Sequence, residues 1–398
     1  MKKFFSNASC LLYTFVIITF FSCSKSGGSD VTPATLYASI NNVSKERSTT
    51  NSTFEFSVTL SAKATRDVSI HYATVESSAK EATDFTAATG TITIPVGETK
   101  ATIDINVTGD SLRKPNQIFY VQLDDPKNCT LKTSKGTGTI VNENGLYFPV
   151  DNAGYTTPET YAGYTLAWSD EFDGSTINTD NWTYELGGSG WGNNELENYT
   201  DRKQNSFVSN SNLIIEARAE PYSGNQYTSA RMITKNKKVF KYGRVDIRAK
   251  LPKTKGIWPA LWMLGNNIDA VNWPACGEID ILELLGQEPS KMYTTLHYGS
   301  SFATHGSYGT NYTLTEETFD EKFHVFSLEW EEDSIKMFLD DNEVFFCSRS
   351  VVGEPYPFNS DFFFIFNIAV GGNWPGAPDG STVFPQRMAV DYIRVFQK

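Results

Sequence analysis

Gly277-Glu278-Ile279-Asp280-Ile281-Leu282-Glu283 places three acids among Ile, Ile and Leu. A short run this rich in β-branched residues reads as a strand, where residues two apart share a face. Glu278 and Asp280 therefore point the same way. Strict alternation would bring Leu282 next to them, not Glu283. One extra residue taken up as a β-bulge restores Glu283 to the acidic face and leaves the aliphatic residues on the other.

Between α-carbons, four to five strand residues span roughly 13 Å. Two glutamates leaning together across that span bring their carboxyls to about 5 Å, the separation used when one acid attacks a sugar carbon and the other protonates the leaving oxygen. Asp280 between them can hydrogen-bond the attacking acid and hold the two pKa values apart. The competing reading is an acidic solvent face on an edge strand, and the triplet alone does not separate the two.

Four further stretches occur with it: Trp191-Gly-Asn-Asn-Glu-Leu-Glu-Asn-Tyr199, Trp258-Pro-Ala-Leu-Trp-Met-Leu264, Asn367-Ile-Ala-Val-Gly-Gly-Asn-Trp374 and Asp391-Tyr-Ile-Arg-Val-Phe396. Together with Glu278-x-Asp280-x-x-Glu283 they resemble, in family order, the laminarinases (endo-β-1,3-glucanases) of glycoside hydrolase family sixteen. The resemblance covers roughly residues 147–398. It implies a concanavalin A-like β-jelly roll, with Glu278 as nucleophile, Glu283 as acid/base and Asp280 as assisting acid. It implies no cofactor for catalysis and a β-glucan polysaccharide as substrate. Mixed-linkage glucanase, transglycosylase and non-catalytic glucan-binding lipoprotein remain the alternatives, because fold alone does not prove activity.

The same resemblance places Trp258 and Trp262, four apart on one strand face, at the sugar subsites, and core packing of one of them is the alternative. Flat aromatics suit the C–H faces of a neutral sugar and polar groups its hydroxyls. Trp191 and Trp374 lie in Gly-rich loops and are further sugar-contact candidates. Asn194, Arg231 and Asn373 are candidate hydroxyl binders, and Glu195 a contact or loop brace. His297, on the following strand, is expected beside the acids. His305 and His324 carry no expected role. Glu171 and Asp391 resemble the family's structural Ca²⁺ site, with carboxylates suited to a hard cation. The segment Thr315 to Phe323 suggests one short turn or helix.

The chain has 398 residues and a formal net charge of −12, with five cysteines. Residues 1–22 read as a secretion leader: Lys2 and Lys3 precede an apolar core from Leu11 to Phe21, too short to span a bilayer as a mature helix. Phe20-Phe21-Ser22-Cys23 resembles a lipoprotein cleavage box with Cys23 acylated, and residues 23–33 read as a flexible tether. The expectation is a monomer in the bacterial cell envelope, lipid-anchored at the outer membrane on its periplasmic or outer face. Removing the leader takes away two lysines and no acids, so the charge moves to −14. That disfavours nucleic acid and anionic membrane surfaces as partners. The sparse cysteines Cys129, Cys276 and Cys347 give no disulfide framework, and Cys276 reads as a packing residue.

Residues 34–145 alternate in short runs, among them Phe54 to Leu60, Val68 to Tyr72, Thr91 to Ile94, Ala101 to Val107, Ile118 to Leu123 and Gly138 to Val141. Strands at this spacing indicate an immunoglobulin-like antiparallel sandwich. Asp84-Phe85, Gly90-Thr-Ile-Thr-Ile-Pro-Val-Gly-Glu98 and Phe119-x-Val-x-Leu123 resemble a Calx-β domain. In that family acidic loops hold Ca²⁺. The matching loops here carry too few carboxylates for a hard-cation site, so little or no Ca²⁺ binding is expected there. His71 reads as a packing or surface residue.

Overall fold

The computed structural model describes residues 35–142, 145 and 147–398. The leader, Cys23 and the tether lie outside the described residues. The N-terminal part is a sandwich of a four-stranded and a five-stranded sheet. Alternation sorts its residues: in Ser52–Leu60, Phe54, Phe56, Val58 and Leu60 are buried while the residues between them are not. Phe119 stacks on Phe85 at 4.6 Å and meets Phe54 and Phe56 edge-on or tilted. Gly138 is needed beside it, since a β-carbon there would lie 2.5 Å from the Phe119 ring. The sequence pattern leaves out Tyr37–Ile40, Val43–Glu46 and Thr130–Thr133, strands of four residues that are too short to show a period.

In the loops of this sandwich the acids turn to cations of the chain itself. Arg47 donates to Asp84 at 2.8 Å and to Asp110 at 3.2 Å, and Lys114 donates to Asp110 at 2.8 Å. His71 bonds Asp124 at the surface.

From Thr165 onward the chain builds two facing sheets of ten and eight strands, almost entirely antiparallel, in a jelly-roll arrangement. The ten-stranded sheet centres on Gln386–Gln397, with Gly243–Lys250 on one side and Asn212–Tyr222 on the other. At the middle of the eight-stranded sheet, Phe362–Val370, Ile257–Gly265, Glu278–Leu284 and Lys291–Tyr298 lie in that order. Phe362–Val370 is buried at every position. Phe362, Phe364, Phe366 and Ile368 face the core between the sheets, whereas Phe363 and Ile365 pack in a smaller cluster with Cys276 and Leu264.

The segment from Thr315 to Phe323 is not a helix but a series of turns. Its two phenylalanines, four apart as on a helix face, serve opposite sides of the ten-stranded sheet. Phe319 joins the core between the sheets, and Phe323 packs outside it with Ile214 and Ala389. One helix cannot reach both.

On that outer side the acids are held by arginines. Arg394 donates to both oxygens of Glu171 at 2.9 and 2.8 Å, and Arg248 donates to Asp391 at 2.7 Å. Arg248 also donates to the carbonyls of Asn152 and Tyr155, both at 2.6 Å, fastening the interdomain segment across the sheet. The calcium expected at Glu171 and Asp391 does not fit these residues. Each carboxylate is already neutralised by a largely buried guanidinium, and a divalent cation there would sit against two fixed positive charges.

Candidate active site

The strand Glu278–Leu284 enters through Gly277, whose φ of +79° strains any other residue and whose β-carbon would meet Pro357 and Phe362 at 2.9 Å. The pairing then breaks where the sequence requires it. Against Ile257–Gly265 the register jumps between Leu261↔Leu282 and Trp262↔Asp280. Against Lys291–Tyr298 it jumps between Asp280↔Thr295 and Glu283↔Tyr293. This bulge keeps Glu278, Asp280 and Glu283 on one cleft and sends Ile279, Ile281, Leu282 and Leu284 into the core.

The cleft measures about 790 Å³. Trp258 and Trp262 both line it, so neither is simply core. The Trp258 indole N–H donates to Glu283 Oε1 at 3.0 Å, and the Trp262 indole N–H donates to Asn367 Oδ1 at 2.8 Å. Asn367 passes the chain on, donating to the Tyr199 hydroxyl, which in turn donates to Glu195. Glu195 is thereby a brace under the cleft wall, and burial pushes its carboxyl up. Arg231 lies between the Trp191 and Trp262 rings, 5.0 and 4.7 Å from their centroids, and pairs with Glu185. Trp374, 40 % exposed, stands edge-on to Trp258 and to Tyr293 at the rim. Asn373 lines the cleft, but Asn194 turns its amide onto Asn373 Oδ1 at 2.9 Å. The neighbouring Asn193 lines the cleft in its place, because Asn194 takes a left-handed turn with φ of +57°.

At the other end His297 stands beside the acids as expected, among residues to which sequence reasoning gave no role: Trp273, Phe302 and His305. The Trp273 indole N–H donates to Glu278 Oε2 at 2.9 Å. His297 Nε2 lies 3.3 Å from Asp280 Oδ2 and 3.8 Å from Glu278 Oε1, and its Nδ1 shares a 2.8 Å hydrogen bond with His305 Nε2. His305 is therefore part of the site, contrary to the expectation of an idle loop residue. His297 pairs with Ser307 across the hairpin, and this pairing folds His305 back over the strand of His297. Phe302, 80 % exposed, extends this wall beside Trp273. His324 is buried on Asp340 in the other sheet, away from the cleft. Cys276 is fully buried packing, with burial pushing its thiol up to about 11.

Electrostatics divide the acids. Burial, and then the negative charge of Asp280, raise Glu278 from 4.5 to about 8, against the opposing pull of His297 and the Trp273 hydrogen bond. Burial holds Asp280 well above its ordinary range. Glu283 is also pushed well up by burial, and then by repulsion from both Asp280 and Glu278. Three carboxyls this close cannot all ionise, so a first charge on Glu278 keeps the proton on Glu283.

The Calx-β domain family matches residues 39–144, and the family described as glycosyl hydrolases family 16 matches residues 193–394. A β-glucanase of Rhodothermus marinus is 41 % identical over 248 residues, 59 % of this chain and 85 % of that protein. Glucan endo-1,3-β-glucosidase A1 of Niallia circulans is 39 % identical over 270 residues, 62 % of this chain but 39 % of that longer protein. Among solved structures, the laminarinase catalytic domain of Thermotoga maritima superposes with a TM-score of 0.56 at 48 % identity, covering 59 % of this chain and 98 % of that one. The acidic bulged strand, the aromatic cleft above it and the jelly roll beneath it thus have one common account: the chain belongs to glycosyl hydrolase family 16 and is a glycoside hydrolase with a Calx-β domain ahead of its catalytic domain.

Proposed function

We propose that this chain is a retaining endo-β-1,3-glucanase acting on laminarin-type β-glucans. The observation that carries the reading is the division of labour among the carboxyls on the bulged strand. Trp273 holds Glu278 Oε2, leaving Oε1 to attack the anomeric carbon. Glu283, kept protonated and oriented by Trp258, gives its proton to the leaving glycosidic oxygen. The glycosyl-enzyme ester so formed is opened by a water that Glu283, now a carboxylate, deprotonates, and the sugar keeps its configuration. Protonated Asp280 hydrogen-bonds Glu278 and steadies its charge before attack. The relatives that cleave β-1,3-glucan support the choice of linkage. The leader and Cys23 support a lipid-anchored enzyme in the cell envelope, with the N-terminal sandwich as a spacer.

Incubation with laminarin, barley mixed-linkage glucan and agarose, followed for product size and anomeric configuration, tests this. Laminarin oligosaccharides of mixed length appearing first as β-anomers are expected. Faster cleavage of barley glucan moves the substrate assignment, α-anomers overturn retention, and binding without cleavage overturns the enzyme reading.

A further inference from the structure

The same geometry that separates the carboxyls brings three donor atoms of mixed chemistry to one point. Glu278 Oε1, Asp280 Oδ2 and His297 Nε2 all lie within 4.8 Å of one another, with 3.3 and 3.8 Å from the imidazole nitrogen to the two oxygens. Donors about 2.0–2.1 Å from a tetrahedral zinc sit roughly 3.3 Å apart, so the imidazole nitrogen is already near that spacing from both oxygens, and the two carboxylates draw together from within 4.8 Å to complete it. Two independent features say that this is more than an acidic cluster. Asp280 Oδ2 is buried and accepts from no N–H or hydroxyl donor, although it lies 3.3 Å from the histidine nitrogen. His297 has its far ring nitrogen already held by His305 at 2.8 Å. With His297 Nδ1 as donor and His305 Nε2 as acceptor, His297 Nε2 offers a lone pair to the carboxylates' side. That is the outer-shell hydrogen bond that usually orients a metal-binding histidine.

We infer that Glu278, Asp280 and His297 form an inhibitory site for a zinc-like divalent transition cation. One imidazole and two carboxylates suit Zn²⁺ or Co²⁺ better than Ca²⁺, which prefers an all-oxygen shell. The fourth position opens on the cleft, so solvent completes the tetrahedron. A bound ion occupies the Glu278 oxygen that attacks and the Asp280 oxygen that supports it. Sugar cleavage then stops until the ion leaves. The inhibitory consequence rests on the glucanase reading; the binding does not.

The test is calorimetric titration of ZnCl₂ into the full chain, repeated with CoCl₂ under visible spectroscopy. One ion per chain and the intense visible bands of four-coordinate cobalt are expected. His297→Gln weakens binding by at least tenfold, and His305→Gln weakens it about tenfold as an outer-shell partner. His71→Gln and Cys129→Ser, which remove an exposed histidine and a partly exposed thiol, leave it unchanged. Laminarin hydrolysis by the wild type falls in step with zinc occupancy and returns with EDTA. Absence of saturable zinc binding, six-coordinate cobalt spectra, or equal affinity in a His297→Gln variant of native circular dichroism each overturns the site. Should that variant not fold, the cobalt spectrum of the wild type decides alone. Normal zinc binding by a protein that never cleaves laminarin overturns the glucanase reading and leaves the site standing.

Discussion

Glu278 and Glu283 are chemically identical side chains five positions apart, and their neighbours give them opposite tasks. Glu278→Ala removes the attacking oxygen, so turnover of every substrate should be lost while glucan binding persists, read by kinetics and affinity electrophoresis. Glu283→Gln removes the proton donor, and laminarin cleavage should fall about 10²–10⁴-fold. A glucoside whose aryl leaving group needs no proton should lose far less in the bond-breaking step of that variant. If both variants fail equally on the aryl substrate, the two roles are not divided as argued. The pH profile reports the same division. Attack needs Glu278 ionised, so the rising limb of kcat/KM should lie above the ordinary 4.5, toward about 8. The Trp273 hydrogen bond favours the charged carboxylate and lowers this pKa. Trp273→Phe removes that support, raises the pKa, and should move the limb to higher pH. A limb that stays in place or moves down would show that Trp273 does not hold the nucleophile.

Elements explain which residues could be read in the sequence and which could not. The bulge was legible because Glu283 falls out of phase with Glu278 and Asp280, and a strand can repair that only by an extra residue. Trp258 and Trp262 were legible because a strand places residues four apart on one side. Trp273 and His305 lie in irregular chain and Phe302 in a single 3₁₀ turn, before and after paired strands, where no period tells which way a side chain points. Asn194 and Asn193 differ only by a left-handed turn, which two adjacent asparagines accommodate equally well. The calcium ligands went astray for another reason: their arginine partners, Arg248 and Arg394, come from paired strands whose register the sequence does not display. One glycine tests how tightly the catalytic strand is specified. Gly277→Ala meets both a positive φ and a 2.9 Å approach to Pro357 and Phe362. It should cost about 1–3 kcal/mol, lower Tm, and reduce kcat more than it raises KM, because Glu278 follows directly. Unchanged melting by calorimetry would mean that the strand entry is looser than this packing indicates.

At the scale of the whole molecule, a buried cation joins the two sandwiches, next to backbone hydrogen bonds that tie Ser111 and Arg113 to Tyr147. Arg113, in the loop that precedes Gln117–Lys127, is 5 % exposed. It crosses to the catalytic domain, donating to the carbonyls of Lys203 and Gln204 and to Glu216 Oε1 at 3.3, 2.8 and 3.3 Å. Its guanidinium also lies over the Phe207 ring, 4.0 Å from the centroid. Glu216 is fully buried and keeps Arg218 and Arg387 when Arg113 is removed. Loss of Arg113 therefore leaves no unpaired buried acid, and the cost should be about 1–3 kcal/mol, less than the roughly 3–5 expected when a buried pair is broken outright. Arg113→Ala should free the first sandwich from the second, seen as a larger radius of gyration by small-angle scattering and an earlier, separate melting step. Cleavage of short soluble laminarin oligosaccharides should stay at the wild-type rate, because no described residue of the first sandwich lines the cleft. An unchanged radius and a single melting step would show that contacts other than Arg113 hold the domains. A fall in activity on short substrates would show that the first sandwich shapes the cleft, and is more than a spacer.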